Sequence, residues 1–171
     1  MKKLLLTLMA TTLVGASAHA VTLTTGTMET RLAGQLDATT ANGTLVEANV
    51  SWGYFFADNA QAGARATFID NDNLTVYGAG AFAEYNFEIG SDDWLPFVEG
   101  SLALSSGDYE GGKSEVALVA EVQAGIKYFL APNVAVSGAA VFDYATEEIF
   151  ADDEKLDDTD VKIQFAIRYY Y

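Results

Sequence analysis

Residues 161–171, Val-Lys-Ile-Gln-Phe-Ala-Ile-Arg-Tyr-Tyr-Tyr, decide how the rest of the chain is read. Val161, Ile163, Phe165, Ile167, Tyr169 and Tyr171 fall on one side of an extended backbone. Lys162, Gln164, Ala166, Arg168 and Tyr170 fall on the other. Successive side chains of a strand point to opposite faces, so a period of 2 marks a strand between two unlike surroundings.

The same alternation runs back through the sequence. Val116, Leu118, Ala120, Val122, Ala124, Ile126 and Tyr128 interleave with Glu115, Ala117, Val119, Glu121, Gln123, Gly125 and Lys127. Val46, Ala48, Val50, Trp52 and Tyr54 interleave with Glu47, Asn49, Ser51 and Gly53. Weaker copies occupy 28–36, 62–68, 77–87, 98–104 and 136–144, which makes eight segments of about ten residues. Two kinds of connection take turns between them. Segments 56–60, 88–95 and 130–134 are one kind; 37–43, 70–73, 105–113 and 145–158 are the other. Tyr54-Phe55-Phe56-Ala57-Asp58-Asn59-Ala60 matches Tyr128-Phe129-Leu130-Ala131-Pro132-Asn133-Val134. That match predicts equivalent turns at one end of an antiparallel meander rather than a solenoid repeat.

The composition narrows the function. The chain has 171 residues, no Cys, and nine basic against 24 acidic residues, for a net charge of −15. One domain fits that length. The acidic balance argues against a nucleic-acid partner, and the missing cysteine removes thiol nucleophiles and zinc–thiolate sites. Lys2 and Lys3 precede an apolar run over 4–14 and then Gly15-Ala16-Ser17-Ala18-His19-Ala20. This is the pattern of a secretory signal peptide cleaved after Ala20, with Ala16-Ser17-Ala18 as a second possible site. The run is too short to span a membrane as a helix. Residues 1–20 are therefore expected to be a signal peptide and 21–171 a single barrel domain. The remainder keeps seven basic and 24 acidic residues, a net −17, and loses the only histidine, His19. Hydrolase triads and imidazole metal sites then lack their histidine. Carboxylate pairs remain, but no spacing singles one out, and neither an enzyme nor a cofactor is expected.

A soluble antiparallel barrel would also alternate, with its apolar face turned inward. Here the polar face carries small and charged residues suited to a narrow filled lumen. The apolar face instead ends in aromatics where the short turns begin: Trp52, Tyr54, Tyr85, Phe87, Tyr128, Tyr169 and Tyr171. Tyr77, Phe142 and Tyr144 lie near the opposite end. Two aromatic belts around an apolar band suit the two water interfaces of a transmembrane barrel. The expected fold is all-β: an eight-stranded antiparallel up-and-down transmembrane β-barrel.

The leader, the alternation, the Gly53-Tyr54-Phe55 and Tyr128-Phe129 strand ends and the closing segment 165–171 together resemble small Gram-negative outer-membrane barrels. Outer membrane protein X and the membrane domain of outer membrane protein A are the nearest in kind. The resemblance covers residues 21–171 and is specific for architecture rather than activity. It implies residence in the outer membrane among lipid and lipopolysaccharide, as a monomer. It also implies insertion by the barrel-assembly machinery, which would read Phe165, Ile167, Tyr169 and Tyr171; the family's terminal residue is most often Phe, and Tyr171 stands there.

On the lumen-facing register, Glu29, Glu47, Glu84, Glu99 and Glu121 stand against Arg31, Arg65, Lys127, Lys162 and Arg168. An eight-stranded lumen is just wide enough for side chains, so these ten are expected to form a plug of ion pairs. Asp143 and Glu115 near the outer rim tilt the balance slightly acidic. The surplus acid lies in connections: Glu147, Glu148, Asp152, Asp153, Glu154, Asp157, Asp158 and Asp160, with Asp70, Asp72, Asp108 and Glu110. Asp152-Asp153-Glu154 lacks the oxygen spacing and central Gly of an EF-hand, so solvation rather than metal binding is expected there. Ile149 and Phe150 offer a contact site or rim packing within the acidic loop. The favoured role is a structural scaffold that meets partners through acidic extracellular loops. The alternative is a narrow porin-like channel or a conduit for small hydrophobic compounds.

Overall fold

A computed structural model describes residues 23–40, 43–71, 74–91, 93–109, 114–147, 150–151 and 156–171. The expected signal peptide lies outside them. Eight strands form the wall: β1 (Met28–Thr40), β2 (Gly43–Ala57), β3 (Ala60–Asn71), β4 (Leu74–Asn86), β5 (Trp94–Tyr109), β6 (Ser114–Ala131), β7 (Val134–Ala145) and β10 (Thr159–Tyr170). Each pairs antiparallel with its neighbours, and β1 closes the barrel on β10. A two-residue pair, β8 (Phe150–Ala151) and β9 (Leu156–Asp157), forms a separate small sheet between β7 and β10. No helix occurs among the described residues.

The closing ladder joins Glu29–Gly34 to Phe165–Tyr170, so the backbone polar groups of those residues are paired on both sides, a requirement wherever lipid replaces water. The side chains are sorted inside out relative to a water-soluble protein. Leu32, Leu102, Leu104, Val122, Val161, Ile163 and Phe165 lie on the exposed outer face, whereas Glu29, Arg31, Lys127 and Arg168 are buried.

The strands run longer than the segments of about ten residues that periodicity marks: the wall strands have 12 to 18. About 9–11 tilted residues cross a bilayer, so pairing continues past the apolar band. The stretches 37–43 and 105–113, expected as loops, are therefore partly strand. Asp37 pairs with Leu45, and Asp108 with Ser114. Alternation fades there, yet the ladder pairing persists. Within 145–158 the expected long loop contains the β8–β9 pair.

The matched turns are structurally alike. The β2–β3 ladder shifts register between Phe55 and Ala57, and the β6–β7 ladder between Phe129 and Ala131. A bulge of this kind re-aims side chains at a strand end. Phe55 and Phe129, the last residues before each shift, keep the lumen parity of Gly53 and Lys127 and lie fully inside, while Phe56 is exposed outside. Asn59, at φ 63°, occupies the left-handed region that Asn tolerates in tight turns.

Phe55 and Phe129 join Leu23, Leu95, Ala135 and Tyr170 in a buried apolar cluster at the short-turn end of the lumen. Leu23 reaches it because the segment before β1 is tied across the β2–β3 turn. The Asn59 amide donates to the Leu23 carbonyl (2.9 Å), the Gly26 amide to the Phe55 carbonyl (2.8 Å), and the Thr25 amide to Asp58 Oδ1 (3.1 Å).

Candidate functional site

Lumen-facing positions recur at every second residue of all eight wall strands, and the charged ones meet across the barrel in two layers. The layer near the short turns is built on Glu29 (β1), Glu84 (β4), Lys127 (β6) and Arg168 (β10). Arg168 Nη1 donates to Glu29 Oε1 (2.9 Å) and Glu84 Oε2 (2.6 Å). Lys127 Nζ donates to Glu84 Oε1 (2.6 Å) and, more loosely, to Glu29 Oε2 (3.4 Å). Gln61 bridges the same two carboxylates with its amide nitrogen. Beside them Arg31 Nη2 donates to Glu99 Oε1 (2.8 Å) and Ser51 Oγ (3.1 Å), while Gln123 donates to Glu99 (2.7 Å).

Aromatic rings complete this layer. The Arg168 guanidinium lies 4.4 Å from the Phe97 ring centre, Lys127 Nζ 5.3 Å from Phe97, and the Arg31 guanidinium 5.1 Å from Phe82. Cations over ring faces gain electrostatic attraction where water is scarce. Phe82 fits because Gly53 and Gly63 oppose each other on β2 and β3. A Cβ on Gly63 would collide with the Trp52 carbonyl and the Phe82 ring.

In the second layer, toward the long-loop end, Arg65 (β3) donates from Nη2 to Glu121 Oε2 (2.9 Å), from Nη1 to Glu121 Oε1 (2.5 Å), and from Nη1 to Ser101 Oγ (2.7 Å). Lys162 (β10) is 2.9 Å from Asp143 Oδ2, 3.1 Å from Glu47 Oε2 and 3.6 Å from Asp160. A cavity of about 40 Å³ adjoins this layer, lined by Arg65, Glu121, Asp143, Lys162 and Glu47, with Ile69, Val76 and Val119 on its apolar side.

All ten residues that the sequence places on the lumen register therefore lie inside the barrel, each in at least one ion pair. Asp143, expected to tilt the lumen charge near the outer rim, is buried in the long-loop layer on β7 and paired with Lys162. The Glu115 side chain lies outside the description. Neither Phe82 nor Phe97 is visible as a lumen residue by polarity, because each is an apolar residue at a polar-face position; parity with Glu84 and Glu99 is the signal that finds them.

The aromatic residues expected as belts lie mostly on the exposed outer face. Trp52, Tyr54, Tyr85, Phe87, Tyr169 and Tyr171 are exposed near the short turns, and Tyr77, Phe142 and Tyr144 near the other end. Tyr128 is only half-buried, because the Trp94 ring packs 4.6 Å from its own. Trp94 is itself exposed and belongs to the same belt. It escapes sequence reading because the connection 88–95 hides the start of β5. On β10, Phe165, Ile167, Tyr169 and Tyr171 all face outward. Of the acidic loop residues, Glu147 and Asp70 are exposed. Glu148, Asp152, Asp153, Glu154, Asp72 and Glu110, together with the side chains of Asp108, Asp157, Ile149 and Phe150, lie outside the described residues.

No protein-family model matches the chain, and no curated protein does. Solved structures do. The N-terminal β-barrel domain of Pseudomonas aeruginosa OprF superposes with a TM-score of 0.64 at 15% identity, over 86% of this chain and 98% of that one. Neisserial surface protein A gives 0.63 at 19%, over 85% and 97%. The outer membrane protein Ail of Yersinia pestis gives 0.50 at 14%, over 85% and 99%. At such identities the likeness establishes the fold: the closed eight-stranded antiparallel barrel of these outer-membrane proteins.

Proposed function

We propose that the chain is a Gram-negative outer-membrane barrel, exported by a cleaved signal peptide in residues 1–20, whose lumen is shut by its ion pairs. Its role is that of a monomeric scaffold, without enzymatic activity, that holds acidic loops outside the cell for surface interaction. The observation that carries this reading is the cross-lumen arrangement of Glu29, Glu84, Lys127 and Arg168 above the apolar cluster of Phe55, Phe129 and Tyr170. Four charges held 2.6–3.4 Å apart over packed rings leave little space for a continuous water column.

Support for the location comes from the outer face. Its exposed apolar residues, with aromatics toward both ends, are what the lipid and the two interfaces of a bilayer call for. The barrel likeness agrees, since one neighbour's name denotes a surface protein and another was determined in a phospholipid nanodisc. Lipid and lipopolysaccharide are the surroundings on this reading, and the barrel-assembly machinery is the partner during insertion, reading Phe165, Ile167, Tyr169 and Tyr171.

The test combines fractionation with solute flux. Expressed in a Gram-negative host, the protein should appear in the outer membrane as a heat-modifiable band. Proteoliposomes carrying it should swell no faster in small sugars than protein-free ones. Swelling that grows with protein content would overturn the scaffold reading in favour of a narrow channel, and recovery from the soluble fraction would overturn the location.

A further inference from the structure

The two lumen layers differ in charge balance. Near the short turns, Glu29, Glu84 and Glu99 meet Lys127, Arg168 and Arg31, three against three. In the second layer, among the described residues, Glu47, Glu121 and Asp143 meet Arg65 and Lys162, three against two. One buried negative charge is left over.

The register makes the surplus acute. Glu121 on β6 lies directly opposite Asp143 on β7, and Asp143 lies directly opposite Asp160 on β10. Like charges opposed across a ladder destabilise the sheet. Arg65 is committed to Glu121, and Lys162 is divided among Glu47, Asp143 and Asp160. Asp143 is 2% exposed, and its Oδ1 has no hydrogen-bond donor, although it borders the cavity of about 40 Å³. Arg65 Nε, on the same cavity, likewise lacks a partner. A buried carboxylate oxygen without a hydrogen-bond donor is costly, even where its twin oxygen is paired, as Asp143 Oδ2 is with Lys162. Space of this size holds more than one water-sized particle.

We propose that this chamber binds one small monovalent cation of the sodium class. The ion sits between Asp143 Oδ1 and the Glu121 carboxylate, with a water bridging it to Arg65 Nε–H. The single surplus charge calls for a single positive charge. A divalent ion would over-neutralise the layer. The sequence hides the site because Asp143 reads as one more acid close to an acidic loop.

The experiment uses the whole folded barrel in lipid vesicles at fixed pH and ionic strength, with sodium chloride exchanged against choline chloride. Choline is too large for the chamber. Wild-type protein should broaden the sodium-23 resonance saturably, and its urea unfolding midpoint should be higher in sodium than in choline. Asp143→Asn should lose both effects, whereas Glu147→Gln, in the exposed loop, should keep both. Should Asp143→Asn fail to fold, the wild-type sodium-against-choline comparison still decides. Identical broadening and midpoints in the two salts would overturn the proposal. So would an infrared carbonyl band of a protonated carboxyl in wild type that Asp143→Asn removes and sodium does not displace, since a proton would then hold the place.

Discussion

Arg65 illustrates what a single lumen residue contributes. Its side chain is 5% exposed and holds Glu121 through two parallel hydrogen bonds, a geometry that Lys could not reproduce. Removing one partner of a buried pair typically costs about 3–5 kcal/mol, because the other charge stays behind unpaired. Arg65→Ala should therefore lower urea-unfolding stability in lipid by about 3 kcal/mol, the low end of that range because the adjoining cavity can admit water. Glu147→Ala, at an exposed loop position, should change it by less than about 0.5 kcal/mol. Equal losses would mean the lumen is as wet as the loops. Gly63 makes a complementary point about space. A methyl there meets backbone on one side and the Phe82 ring on the other, so Gly63→Ala should destabilise by about 1–3 kcal/mol, as overpacking does. Trimming the ring as well, in Gly63→Ala with Phe82→Leu, should recover part of that loss; no recovery would show that the backbone contact dominates. The pairing partners of these residues are not legible in the sequence. Parity along a strand says which face Arg65 occupies, but which carboxylate it reaches depends on how eight strands stagger around the barrel.

At the scale of the element, β10 carries the argument most clearly. Its outward residues Val161, Ile163, Phe165 and Ile167 are exposed along a face that only lipid would cover, and Phe165 is 68% exposed. Replacing Phe165 by Asp puts a charge into that band, at a depth-dependent cost of up to about 2–4 kcal/mol for the worst residues near the midplane. Folded yield in outer membranes should fall with Phe165→Asp and with deletion of Tyr171. Unchanged amounts of heat-modifiable barrel on cold gels would contradict the lipid-facing assignment of this strand. The strands also fix an orientation. Short turns at Asp58-Asn59 and Asn133 lie at the end where the segment before β1 is tied, and Glu147 lies at the other. A cysteine at Glu147 should react with an impermeant reagent on intact cells and one at Asn133 should not; the opposite pattern would invert the barrel. Period and turn spacing made these strands legible because each face of the wall meets a uniform medium. Their outer ends were not legible, since the polar residues there carry no alternation, and only the ladder of Asp37 to Leu45 or Asp108 to Ser114 reveals them.

For the whole molecule, closure of β1 on β10 turns a row of alternating strands into a sealed wall. Polarity alone foretold a charged lumen, and the ten charged residues on that register do meet inside it. What polarity did not reveal is the apolar end of that lumen. Phe55 and Phe129 stand on the lumen parity of their strands but are apolar residues on a polar face, and Leu23 enters from a segment with no periodicity at all. Together they form an apolar layer beneath the ion pairs, and the combination underlies our proposal that the barrel is shut. Recording of the purified wild-type protein in a planar lipid bilayer tests that claim most directly. The account predicts a baseline without steady open-channel current across the usual voltage range, while heat-modifiability shows the same sample to be folded. A sustained large conductance that scales with the number of inserted folded barrels would contradict it.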